Sequence, residues 1–174
     1  MKRRTFLALP ALFLYNKIAA AYETGKKEYY IEISIRQCRL YLYELPGKLL
    51  LREYKAATVK EGLDTYPIGR GHVTNIEFNP EWHPTAYSRW YFRVNKKIYL
   101  PETVKPGDPL NYMGAFKIYL SHRTYKGDIY RIHGNNDPSQ VGQRVTGGCI
   151  RLFNDEGMQL AGTISIGTEV SILN

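Results

Sequence analysis

The chain has 174 residues, 44% of them hydrophobic and 13% aromatic, and a formal charge of +8. That length suits one domain with a sizeable core, and the apolar content excludes a disordered chain. The basic residues are scattered without the dense Lys/Arg block of a nucleic-acid groove, so binding to DNA or RNA is not expected.

In chain order, the first 21 residues have the layout of an export leader: basic Lys2-Arg3-Arg4, an apolar stretch from Phe6 to Leu14, then Ala19-Ala20-Ala21. An apolar stretch of about nine residues is far below the ~20 needed to span a bilayer, so no stable membrane span is expected after cleavage. The run Arg3-Arg4-Thr5-Phe6-Leu7 also fits a twin-arginine signal, which leaves the export route open. Losing residues 1–21 removes Lys2, Arg3, Arg4 and Lys17 and no acid, so the charge falls from +8 to +4. The expectation is an exported protein of the periplasm or cell envelope, mildly basic, whose cations either attract an anionic wall polymer or form a solvated face.

The body reads as mainly β, because β-branched and aromatic residues fall in short alternating runs between glycines and prolines. Tyr29–Ile35 and Arg39–Glu44 form an opening hairpin across the polar turn Arg36-Gln37-Cys38. Leu45-Pro46-Gly47 turns the chain into a third strand, Lys48–Thr58, with Leu49 and Leu51 on its apolar face. Residues 62–85 carry many Gly and Pro breakers and read as loops around a short strand, His72–Phe78. Residues 87–108 show no sustained period and read as a mobile flap. Ala115–Ser121 and Ile129–His133 are strands. Asn154 is expected to cap a short helix over 155–161, with Asp155 in its first turn and Gly162 or Gly167 beyond its end. Glu169–Leu173 closes the sheet.

Within this frame one cysteine has unusual surroundings: Thr146-Gly147-Gly148-Cys149-Ile150-Arg151, sixteen residues beyond His133-Gly134. A thiol with a reference pKa of about 8.5 needs a nearby base or positive field to attack at neutral pH. His133, at a strand end, is the candidate base. Gly147 and Gly148 permit unusual backbone angles and leave N–H groups uncovered, as an oxyanion pocket requires. A lone cysteine is otherwise a small buried apolar residue, and a lone histidine a satisfied strand residue. Glycine flanks weigh against that reading because they deprive a core of side chains.

These residues resemble the L,D-transpeptidase family, whose catalytic module is often called the YkuD domain. The family pattern of His-Gly, a polar loop, then Ser/Thr-x-Gly-Cys, an apolar residue and Arg or Asn is met by His133-Gly134 and by Thr146 to Arg151. RLYLYE (39–44), TYPIGRGHVT (65–74), NPEWHPT (79–85) and NYMGAFKIYLS (111–121) look like further landmarks, so the resemblance covers residues 28–174. It departs at Gly147, where many members carry a second histidine, and at NYMG, which replaces the more usual Asn-Pro-Leu-Gly.

The resemblance implies a single catalytic domain over 28–174, a β-sandwich or barrel with one or two short helices. It also implies acyl transfer on peptidoglycan stem peptides through a thioester on Cys149, without metal or organic cofactor. His133 would move protons, oriented by a backbone carbonyl between Gly134 and Asn136. Backbone N–H groups at Gly148 and Cys149 would bind the oxyanion, and Thr146 and Gly147 would shape the turn. Gly134, Asn135 and Arg151 would contact substrate, although Arg151 equally suits an ion pair with Asp155. An amine acceptor, including one on a wall-attached protein, makes this a transpeptidase; water makes it an L,D-carboxypeptidase or wall-protein amidase. A non-catalytic wall-binding module is the remaining alternative. Trp82 and His83 suit either an aromatic rim for sugar or peptide or, for the tryptophan, plain core. Cys38 has no glycine flanks or nearby histidine, so it is given no catalytic role, and both thiols are expected to be reduced. The four histidines are scattered, with no metal-ligand spacing.

Overall fold

A computed structural model describes residues 27–63, 66–124 and 127–174; the expected leader, 1–21, lies outside them. Ten strands form: β1 (Glu28–Ser34), β2 (Arg39–Leu45), β3 (Leu49–Lys55), β4 (Thr58–Val59), β5 (Gly69–Phe78), β6 (Phe116–Arg123), β7 (Ile129–His133), β8 (Arg144–Thr146), β9 (Ile150–Arg151) and β10 (Glu169–Leu173). Eight of them make one curled sheet in the order β3-β2-β1-β10-β5-β6-β7-β9, and β4 pairs with β8. The fold is mainly β with short helices, as expected. Among the described residues no helix is long and apolar enough to cross a membrane.

Strand β5 joins the two halves of the sheet. Its first residues, Gly69 to His72, pair with β10, and Val73 to Phe78 pair with β6. It is ten residues long, so it starts ahead of the expected His72; Gly69 and Gly71 join the ladder instead of breaking it. Alternation then decides the core. Ile31 and Ile33 of β1, Phe116, Ile118 and Leu120 of β6, Tyr130 and Ile132 of β7 and Ile150 of β9 all point inward, with Leu160 of a helix sealing the cluster.

Several expectations are corrected. The third strand splits into β3 and β4, and Leu49, Leu50 and Leu51 are exposed rather than core-facing. Strand β3 is the sheet's edge and its register shifts at Leu42/Tyr43, so only Tyr54 reaches the interior. The aperiodic stretch 87–108 contains helix α1 (Ala86–Tyr91), capped by the Thr85 hydroxyl and running into one π-turn over Phe92–Lys96. Under it lies a second small core of Trp82, Phe92, Leu100 and Val104.

Helix α2 (Asn154–Thr163) runs past Gly162 to Thr163 and has no side-chain cap. The Asn154 amide, expected to supply that cap, points elsewhere. Its Oδ1 accepts from the Ala115 and Asn135 backbone N–H groups at 3.1 and 3.0 Å, and its Nδ2 donates to the Asn135 carbonyl at 2.9 Å. Gly114 and Gly134 allow this approach, since a Cβ on either would overlap that same Oδ1.

Candidate active site

Strands β7 and β9 run parallel with Ile132 opposite Ile150 and His133 opposite Arg151. One place back, Cys149 falls beside Arg131. Paired residues on neighbouring strands project to the same face of a sheet, and alternate residues along a strand share it. Ile132, Ile150 and Leu152 take the core side, so His133, Arg131, Cys149 and Arg151 take the other. Strand β6 extends the pattern, with Lys117 opposite His133 and Tyr119 opposite Arg131, and β5 sets Glu77 opposite Lys117. Two rows result: Glu77, Lys117, His133, Arg151 in one, and Tyr119, Arg131, Cys149 in the other. Cys149 lies just ahead of β9, diagonal in register to His133 of β7.

His133 is 2% exposed. Its Nδ1 lies 2.7 Å from the Gly134 carbonyl oxygen, which can only accept, so Nδ1 carries the hydrogen and Nε2 keeps its lone pair. That carbonyl lies in the 134–136 loop expected to orient the imidazole. Burial, together with the Arg151 charge, lowers the imidazole pKa to about 3. The ring therefore rests neutral, with Nε2 able to accept a proton.

Cys149 is partly exposed and, like Cys38, a free thiol. Burial pushes its pKa up, while the charges of Arg131 and Arg151 and hydrogen bonding from Arg131 oppose that rise. At rest the thiol and the imidazole are thus both neutral, and the charges of Arg131 and Arg151 lower the cost of the thiolate.

The turn before the thiol is braced from within. The Thr146 hydroxyl donates to the Cys149 carbonyl at 2.8 Å and accepts from the Gly148 N–H at 3.2 Å. The Gly148 amide, expected to face an oxyanion, is therefore already engaged, while the Cys149 N–H has no partner among the described residues. Gly148 has φ +150°, which glycine tolerates best. A Cβ on Gly147 would meet nothing within 4 Å, so the place of the family's second histidine is open space.

Two residues expected at the substrate are otherwise engaged. Asn135 is buried and its amide donates to the Leu152 carbonyl, which ties the His133 loop to the strand after the thiol. Arg151 pairs with no carboxylate at Asp155. Its Nη1 donates to Gln140 Oε1 at 2.6 Å, its guanidinium lies 5.5 Å from the Tyr112 ring centroid, and its Nε is buried without a partner among the described residues. Gln140 in turn donates to Asp137 at 2.9 Å.

Arg131 and Asn154 are site residues that the sequence reading missed. The Arg131 guanidinium packs over Tyr119, whose hydroxyl donates to Glu77 at 2.8 Å. The strand pattern held a signal for it, since Arg131 shares the alternation of His133. Trp82 is 7% exposed and packs against Phe92 and Tyr112, so it is core. His83 hydrogen-bonds Thr103. Among the described residues no cluster of His, Cys, Asp and Glu could hold a metal ion.

The profile of the L,D-transpeptidase catalytic domain, YkuD, matches residues 28–172. The chain is 37% identical over 145 residues to the "Probable L,D-transpeptidase YcfS" of Escherichia coli strain K12, covering 83% of this chain and 43% of that protein. It is 34% identical over 147 residues to the "Probable L,D-transpeptidase ErfK/SrfK" of Salmonella typhimurium, covering 83% and 44%. The chain thus spans less than half the length of these curated relatives. The fold is similar to that of L,D-transpeptidase 3 from Mycobacterium tuberculosis, solved with a faropenem-derived adduct, at a TM-score of 0.56 and 16% identity over 85% of this chain and 61% of that one.

Proposed function

The chain belongs to the L,D-transpeptidase catalytic-domain family, and on that premise we propose that it is an exported cysteine acyltransferase of the cell envelope acting on peptidoglycan stem peptides. The observation that carries the reading is the register of β7 and β9, which sets a partly exposed thiol just ahead of β9 diagonal to a buried imidazole whose Nε2 has no hydrogen-bond partner among the described residues.

The steps follow from protonation states. His133 Nε2 takes the Cys149 proton as Sγ attacks the amide carbonyl before a terminal D-residue. The oxyanion gathers on the Cys149 N–H, a donor worth about 3 kcal/mol when well aimed. The C–N bond breaks, the leaving amine takes the proton from His133, and a thioester remains. An incoming amine then gives its proton to His133, attacks the thioester and forms the new amide, and the departing thiolate recovers the proton. Arg131 and Arg151 favour the thiolate at both ends of the cycle.

Incubation with tetrapeptide-bearing muropeptides, followed by mass analysis, tests this reading. A crosslinked dimer mass is expected from the wild type. Loss of the terminal residue alone would identify water as the acceptor and replace transpeptidation by L,D-carboxypeptidase action. Cys149→Ala is expected to abolish both products, and His133→Ala to slow them at least ~100-fold. Full turnover by Cys149→Ala would eliminate the thioester route. By the same chemistry a carbapenem is expected to add its mass to Cys149 in the intact protein.

A further inference from the structure

The segment from Trp82 to Pro101 carries Arg89, Arg93, Lys96 and Lys97 and no acidic residue. Its inner face is filled by the second core, whereas its outer face shows large rings: Trp90 is 50% exposed and Tyr99 82%. Tyr87 packs on Trp90 with centroids 5.8 Å apart and lies parallel to Tyr91 at 6.4 Å. Between these groups opens a hollow of about 290 Å³ lined by Ala86, Arg89, Trp90, Arg93, Tyr99 and Leu100.

Exposed flat rings around a concave slot offer stacking surfaces to a ring-shaped ligand, and the cations at its wall offer charge-assisted hydrogen bonds to carboxylates. The slot is coupled to the catalytic face. Tyr112 packs edge-on against Phe92 with centroids 5.4 Å apart, and the Arg151 guanidinium lies over the Tyr112 ring at 5.5 Å. Hydrogen bonds from Ser139 and Gln140 and, more weakly, the Lys96 charge hold the Asp137 carboxyl below the usual carboxylate range.

We propose that this slot is a glycan subsite, in which an amino-sugar ring stacks on Trp90 and Tyr99 while carboxylates of the attached peptide reach Arg89 and Arg93. The proposal rests on the stem-peptide reading and extends it from the scissile bond to the sugar that bears the peptide. A bilayer surface could also recruit rings and cations, but a walled slot between two arginines fits a discrete ring better than a flat sheet of headgroups.

Binding is tested on the Cys149→Ala protein, which removes turnover. The probes are an N-acetylated amino-sugar disaccharide bearing an acidic tetrapeptide, the free tetrapeptide, and phosphatidylglycerol vesicles. The glycopeptide is expected to bind at least about tenfold more tightly than the peptide, with Trp90→Ala erasing that difference and Arg93→Gln weakening both ligands. Equal binding of both ligands, or a difference untouched by Trp90→Ala, overturns the subsite. Trp90-dependent vesicle binding without glycopeptide preference overturns it in favour of a membrane surface. Tyr99→Ala, at a side chain with little cover, repeats the test should Trp90→Ala fold poorly. Failure of the acyl-transfer reading is separate, since it appears as wild-type protein that binds the glycopeptide and leaves its mass unchanged.

Discussion

At the Cys149 sulfur, burial pushes the pKa up while Arg131 and Arg151 hold it back. Arg131 precedes Ile132 as Cys149 precedes its partner Ile150, and its guanidinium packs over Tyr119, so it is the clearest candidate to position the thiolate. Arg131→Met is expected to slow iodoacetamide alkylation of Cys149 at neutral pH about tenfold and move the midpoint of its pH profile upward, with Arg131→Lys keeping most of the rate. An unchanged profile in Arg131→Met would remove the role. The proposed nucleophile and base, Cys149 and His133, stood out in the sequence because glycines flank them. Arg131 was not, because an arginine on an alternating strand ordinarily reads as a solvated side chain.

Strands of five or more residues were legible as elements, since alternation needs that much chain to show. Strands β8 and β9, with three and two residues, are too short to display a period, and only their partners define them. Helix α1 escaped for a different reason: Trp82, Phe92, Leu100 and Val104 form its core at spacings that match no single repeat. Asn154 was misread because an asparagine before a helix is the usual sign of a cap, and only the close approach of Gly114 and Gly134 gives its amide another task. Asn154→Ala removes three hydrogen bonds, two to Asn135 in the loop that holds the Gly134 carbonyl and one to the Ala115 N–H. It is expected to lower stability by about 2 kcal/mol or more in urea unfolding and to slow acyl transfer beyond what that loss explains. Phe92→Ala is expected to lower stability by about 3 kcal/mol. A denaturation midpoint equal to that of the wild type would mean that the second core contributes little.

For the molecule as a whole, His133 sets an acid limit. Its folded pKa is about 3 against an ordinary 6.5, so the unfolded chain binds the extra proton between those values. The stabilisation is complete above about pH 6.5 and is lost progressively as pH falls toward 3. Glu77 and Asp137, held below their usual carboxylate ranges, lose theirs only at lower pH. Urea midpoints from pH 7 to 4.5 are therefore expected to fall more steeply for the wild type than for His133→Gln; parallel curves would mean the imidazole is not held neutral. A different consequence follows from the placement of β10, which lies between β1 and β5 in the middle of the curled sheet. Strands β3-β2-β1 and β5-β6-β7-β9 form two arcs that meet in the large sheet only through residues 169–173; they are also tied by β4 on β8, the Ala57–Arg151 bridge and the shared core. The large sheet therefore closes as one surface only when β10 is seated, so these five residues act as a clasp whose loss would split it in two.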